Sequence, residues 1–324
     1  METKLNHSIF SESSLLLIAP FFLWGTAMVA MKGVLDQTTP LFLAGIRLLP
    51  AGILVLAVGI LLGRPQPKGW QAWLSILLFA LIDGTLFQGF LALGLTRTDA
   101  GLGSVMIDSQ PLAVALLSSF LFGEIIGVWG WLGLILGILG ISLIGLPDEL
   151  IINFFQGNLT DFTFSWTNLF SSGEWLMLLA SLSMAVGTVL IRYVCRYSDP
   201  IIATGWHMIL GGIPLFIASA CWETNQWNNL DLPGILALGY ATVFGSAIAY
   251  GIFFYLASQE NLTSLSALTF LTPVFALLFG NLILAEILSS LQWLGVSLTL
   301  ISIYLINRRE EISNYWQKLR KKTN

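Results

Sequence analysis

A chain of 324 residues that is 56% hydrophobic, only 10% charged and of net charge −4 cannot clothe a water-facing surface, because ordinary soluble domains carry roughly 25% charged residues. The mean hydropathy of +0.82 agrees. Two cysteines, Cys195 and Cys221, exclude a disulfide scaffold or a cysteine metal cluster, and no metal or cofactor is expected.

A spanning helix needs about 20 mostly apolar residues. In chain order such stretches fall near 14–33, 40–62, 71–94, 101–122 and 127–146, then near 174–193, 201–222, 233–257, 262–284 and 288–307. The ten-residue alternation of barrel strands is absent, and backbone groups in lipid must be satisfied within the segment. The expectation is therefore an all-α membrane protein with ten transmembrane helices. The polar start Met1–Ser14 precedes a run long enough to span, so it reads as a retained first helix rather than a cleaved signal. The connection 147–173 is the one long loop; its Phe154, Phe155, Phe162, Phe164, Trp166 and Phe170 favour an interfacial linker over a lid.

With the N-terminus inside, the inner segments hold Lys4, Arg64, Lys68, Arg192, Arg196 and six residues of the tail, Arg308, Arg309, Lys318, Arg320, Lys321 and Lys322. The outer segments hold only Lys32 and Arg97. By the positive-inside rule both termini are then cytoplasmic, in the plasma (inner) membrane. The tail 308–324 suits an anionic leaflet better than nucleic acid.

An internal repeat appears at an offset of 162 residues. Pro111 pairs with Pro273, Glu124 with Glu286, Trp131 with Trp293, Gly133 with Gly295, and Gly25-Thr26 with Gly187-Thr188. Pro40 and Pro200 open the second and seventh spans after a small slip in register. The divisions are 1–146 for the first five-helix repeat, 147–173 for the external linker, 174–307 for the second repeat and 308–324 for the basic tail. Five spans per half is an odd number, so the second half enters the membrane inverted, as in many transporters with a midplane site between their halves.

The runs Pro111…Glu124…Trp131-Leu132-Gly133 and Pro273…Glu286…Trp293-Leu294-Gly295, with Trp24-Gly25-Thr26, resemble the EamA-type transporters of the drug/metabolite superfamily. The resemblance spans residues 14–307. It implies a ten-helix, two-repeat carrier with cytoplasmic termini that exports amino acids or other metabolites; some members of the superfamily carry nucleotide sugars or sugar phosphates.

Ionisable groups inside a membrane are costly and are functional candidates by default. Arg47, Asp83, Asp108 and His207 all fall near mid-depth of their spans. Arg47 stays protonated and calls for a carboxylate, either Asp83 or Asp108 as a packing pair or the carboxylate of a substrate. Either aspartate is a candidate proton site, and so is His207, which takes the place of Arg47 in the second repeat. Trp24 and Tyr250 are the candidate aromatic walls. Glu124 and Glu286 read as helix caps or gating groups, and Pro111 and Pro273 as kinks.

A small-molecule carrier, with the substrate and protons as partners, is the leading reading. An enzyme lacks a nucleophile-and-base set or a metal motif, since His7 and His207 are the sole histidines. A non-transporting sensor or scaffold is the alternative from another class. Among carriers a phosphate-bearing cargo calls for several cations, so the nucleotide-sugar or sugar-phosphate exchanger ranks second. The oligomeric state is left open.

Overall fold

The computed structural model describes residues 13–31, 34, 36–97, 106–146, 148–155, 173–227, 229–284 and 289–323. Twelve helices account for nearly all of them, and no strand occurs among the described residues. In chain order they are α1 (Ser13–Met31), α2 (Pro40–Leu61), α3 (Gly69–Leu95), α4 (Met106–Phe122), α5 (Gly127–Gly145) and α6 (Asp148–Phe155). There follow α7 (Gly173–Val194), α8 (Pro200–Trp222), α9 (Leu232–Ala257), α10 (Leu262–Leu282), α11 (Ser290–Asn307) and α12 (Arg309–Thr323). Eight of these are long and apolar enough to cross a membrane; Leu15–Met31 within α1 and Met106–Phe122 are shorter apolar helices. Of the linker 147–173 the described part is α6 and Gly173, and Glu286 lies outside the described residues.

Local chemistry sets the helix starts. Pro40, Pro200 and Pro233 stand in the first turns of α2, α8 and α9, where the missing N–H costs nothing. Asp199 accepts from the Ile201 and Ile202 N–H groups, Asp231 from Gly234, and Asn261 from Ser264. Ser289 and Gln292 form a reciprocal capping box on α11.

Two helices change pitch at matching places. Residues Ala80–Phe87 of α3 and Ala241–Ile248 of α9 are π-helical, a rare winding that concentrates at functional sites. In α4 the helix is interrupted by a turn at Ser109, just before Pro111; in α10 a 3₁₀ turn covers Leu268–Phe270, just before Pro273. Both prolines thus follow a break at which their missing donor is not needed.

Glycines decide how closely the helices approach. A Cβ at Gly52 would stand 2.8 Å from the Gly205 carbonyl, and one at Gly205 would stand 2.6 Å from Leu56. With Gly45 against Phe216 and Gly59 against Ile202, these contacts make α2 and α8 antiparallel. The pair α5 and α11 is antiparallel too, through Gly133 on Ile306, Gly140 on Thr299 and Gly295 on Leu143. Helix α1 packs on α9 and α10, and α7 packs on α3 and α4, so each half grips the other. The principal core lies between them, around Phe21, Phe79, Met184, Phe253 and Phe254. Outward faces carry large apolar side chains, among them Leu15, Leu61 and Phe120, as a lipid solvent demands.

Candidate functional site

A cavity of about 490 Å³ opens between the halves, lined among others by Trp24, Arg47, Gln88, Asp108, Tyr250 and Thr272. Its walls reach the helix ends at Met31, Pro40, Leu95 and Gly145. Arg47 projects from α2 and donates from Nη2 to Gln88 Oε1 at 2.7 Å. Gln88, the first residue after the π-helical segment of α3, in turn donates from Nε2 to the Tyr250 hydroxyl at 2.8 Å. Trp24 meets Tyr250 edge-on at 5.2 Å.

Of the two alternatives for Arg47, the packing pair with Asp83 or Asp108 is not formed among the described residues. Arg47 is held by a neutral amide, and Asp83 turns the other way, to His207 Nε2 at 3.1 Å. The π-helical winding accounts for this by re-aiming Asp83 toward α8, beneath Gly187 of α7. Asp83 and His207 are fully buried and lie outside the cavity lining, whereas Asp108 belongs to that lining. Asp108 sits on the interrupted turn of α4 and has no hydrogen bond or ion pair among the described residues.

Three polar groups of the lining residues are buried without a partner: Arg47 Nε, Trp24 Nε1 and Thr272 Oγ1. A buried donor left unpaired costs about 1–3 kcal/mol, so such atoms mark where a ligand's acceptors belong. Gln88 escaped the sequence reading because a neutral amide attracts no attention in a membrane helix. Its signal was the repeat itself: Gln88 and Tyr250 stand 162 positions apart.

Glu124 does cap a helix, but not α5, the next one in sequence. Its carboxylate accepts from the Leu262 and Thr263 N–H groups at 3.2 Å, from Thr263 Oγ1 at 2.8 Å and from Arg192 Nη1 at 3.4 Å. It joins α4 to the start of α10 and to the end of α7. Glu223 does the equivalent for α2, taking the Thr39 hydroxyl at 2.7 Å and the Leu41 and Phe42 N–H groups at 2.9 and 3.0 Å. Pro273 borders the cavity, and Pro111 is buried on α4 away from its lining. Among the described residues no cluster of three or more His, Cys, Asp or Glu side chains could hold a metal ion.

The profile of the EamA-like transporter family matches residues 12–146 and again 171–308. The "Uncharacterized transporter sll0355" of Synechocystis is 64% identical over 99% of this chain and 98% of its own length. The "WAT1-related protein At3g02690, chloroplastic" of Arabidopsis thaliana is 55% identical over 90% of this chain and 68% of its own length. The "Uncharacterized inner membrane transporter YedA" of Escherichia coli K12 is 28% identical over 90% of this chain and 89% of its own. One solved crystal structure superposes with a TM-score of 0.75 at 16% identity, covering 92% of this chain and 98% of that one, which is a likeness of fold. The chain is an integral membrane protein and belongs to the EamA-like transporter family.

Proposed function

We propose that this transporter is a ten-span, inverted-repeat secondary carrier, a metabolite exporter whose cargo bears a carboxylate, with amino acids the leading class. One observation carries the reading. Arg47 stands at the wall of a central cavity with no acidic partner, its Nε unpaired beside the unpaired Trp24 Nε1, while Asp108 faces the same space. A cation held within the membrane needs a counter-charge, and a substrate carboxylate supplies it with two acceptors in guanidinium geometry. Asp108 is placed to take the amine of a zwitterion, and Trp24 with Tyr250 to flank its side chain.

Arg47 is the sole basic residue of the described cavity lining, which disfavours phosphate-rich cargo such as nucleotide sugars. The antiparallel pairing of α2 with α8 and of α5 with α11, helices at corresponding places in the two halves, supports inversion of the repeats. The matched stretches 12–146 and 171–308 are compatible with repeats over 1–146 and 174–307, a linker at 147–173 and a tail at 308–324.

Orientation by basic residues puts both termini in the cytoplasm and the helix ends at Met31, Pro40, Leu95 and Gly145 outside. The cavity then faces outward, and Glu124 with Arg192 seals the cytoplasmic end. Alternating access consists of breaking that seal while closing the outer mouth. The test is counterflow of labelled amino acids, with sugar phosphates alongside, in proteoliposomes. Saturable uptake of an amino acid by the wild type, lost in a folded Arg47→Ala protein, is expected. Uptake confined to sugar phosphates, or unaffected by Arg47→Ala, overturns the reading.

A further inference from the structure

The pair of Asp83 and His207 holds a proton that the cavity chemistry does not use. His207 Nδ1 lies 2.6 Å from the Thr204 carbonyl oxygen. A carbonyl only accepts, so Nδ1 carries a hydrogen and the tautomer is fixed. That leaves Nε2, which faces Asp83 Oδ2 at 3.1 Å. If Nε2 carries a hydrogen, the ring is an imidazolium against a carboxylate. If it does not, Asp83 must be the carboxylic acid and donate to it. In either arrangement one proton lies between the two residues and the pair is neutral. Remove it, and a nitrogen lone pair confronts a carboxylate with no donor to relieve either.

The surroundings offer no relief. Both side chains are 1% exposed, and Asp83 Oδ1 is buried without a partner. Phe79 stacks on the imidazole at 4.1 Å, and Phe254 meets its edge at 5.4 Å. From α7 comes Gly187, where a Cβ would stand 2.4 Å from Asp83 Oδ1. From α9 comes Tyr250, whose hydroxyl feels both Asp83 and Arg47, and Arg47 itself reaches from α2 to Gln88. His207 is the one histidine of α8, and Asp83 the one acid of α3.

Position gives the proton its leverage. Asp83 lies in the π-helical segment of α3 in the first half, and His207 on α8 in the second. The same contact continues through Gly84 against Gly211 and the Thr85 hydroxyl, which donates to the Gly211 carbonyl at 2.9 Å. Five residues after Asp83, one π-helical turn, comes Gln88, which holds Arg47 and Tyr250.

We infer that Asp83 and His207 form a dedicated proton-binding site, separate from the cargo cavity, whose single shared proton locks α3 of one half to α8 of the other. Binding converts a pair of charge −1 to a neutral, hydrogen-bonded one; release returns that proton to water and lets the π-helical segment move, carrying Gln88 and the grip on Arg47 with it. The lock is closed at acid pH and opens as pH rises.

Two measurements on the full-length protein in detergent need no cargo, so they stand or fall apart from the carboxylate reading. Asp83→Asn keeps the shape and lets an amide N–H donate to His207 Nε2, which imitates the loaded pair. In a potentiometric titration between about pH 5 and pH 9, spanning the histidine range, Asp83→Asn should exchange one proton fewer per chain than wild type. Amide hydrogen exchange over residues 80–95, compared at the same alkaline pH, should be at least about tenfold slower in Asp83→Asn than in wild type, because only wild type has lost a buried charge-assisted hydrogen bond. Should Asp83→Asn not fold, Asp83→Ser, which also removes the carboxyl and keeps a donor for His207 Nε2, must likewise exchange one proton fewer. Equal proton counts in wild type and the folded variant, or equal exchange over 80–95, overturn the assignment.

Discussion

Gln88 is the residue on which the site turns, because it presents Arg47 without neutralising it. Replacing it with glutamate supplies the missing carboxylate from within. In Gln88→Glu the guanidinium has an internal ion-pair partner that competes with cargo, so KM for a carboxylate-bearing substrate should rise by about tenfold or more. Thermal stability in detergent should stay level or rise, since a buried cation gains a counter-charge. An unchanged KM would mean that Arg47 never touches the cargo. Charge or aromaticity in a membrane helix advertises itself, which is why the sequence offered Arg47, Asp83, Asp108, His207, Trp24 and Tyr250 as candidates; four of these line the cavity, and Asp83 and His207 do not. The sequence could not pair them, since the partner of Asp83 depends on the π-helical winding and the partner of Arg47 is neutral.

At the scale of elements, helix positions were legible because long apolar runs leave few alternatives, and the caps at Asp199, Asp231 and Ser289 are local codes. The changes of pitch were not, because α and π windings share one composition. Close approach is testable through glycine. In Gly52→Ala the new methyl group meets the Gly205 carbonyl, which cannot yield, and the protein should lose about 1–3 kcal/mol. Gly239→Ala, with no atom within 4 Å of its Cβ position, should be neutral or gain about 0.5–1 kcal/mol from reduced backbone freedom. Thermal melts in one detergent compare the two. The contact of Arg192 with Glu124 is partly exposed and is worth no more than about 1 kcal/mol. Arg192→Gln should therefore raise the inward-open fraction about fivefold at most, read by cysteine accessibility at the cytoplasmic end.

For the whole molecule the two cysteines report orientation. Cys221 is exposed at the end of α8 that the basic residues place outside, whereas Cys195 lies just past the end of α7, on the inner side. Burial first, then the nearby Asp199, push the Cys195 thiol up to about 12. Its reactive thiolate is scarce at neutral pH and grows only as pH climbs toward that value. A membrane-impermeant maleimide added outside intact cells should modify Cys221 and spare Cys195. Labelling from the cytoplasmic side alone would reverse the orientation.

Gln88 and Tyr250 occupy corresponding places in the two halves, and they touch. A relation that brings equivalent positions together has its axis running between them, through the floor of the cavity. On the inverted-repeat reading proposed above, the chain carries a picture of its other conformation in itself. Let each half adopt the shape its partner has now, and the outer mouth closes while the cytoplasmic seal opens. The walls of that unseen chamber are the counterparts of the present ones, with Leu91 giving way to Phe253 and Asp108 to Phe270. Cargo that meets an acid on one side of the membrane would meet a phenyl ring on the other, an asymmetry written into unequal twins that would let one side bind and the other let go.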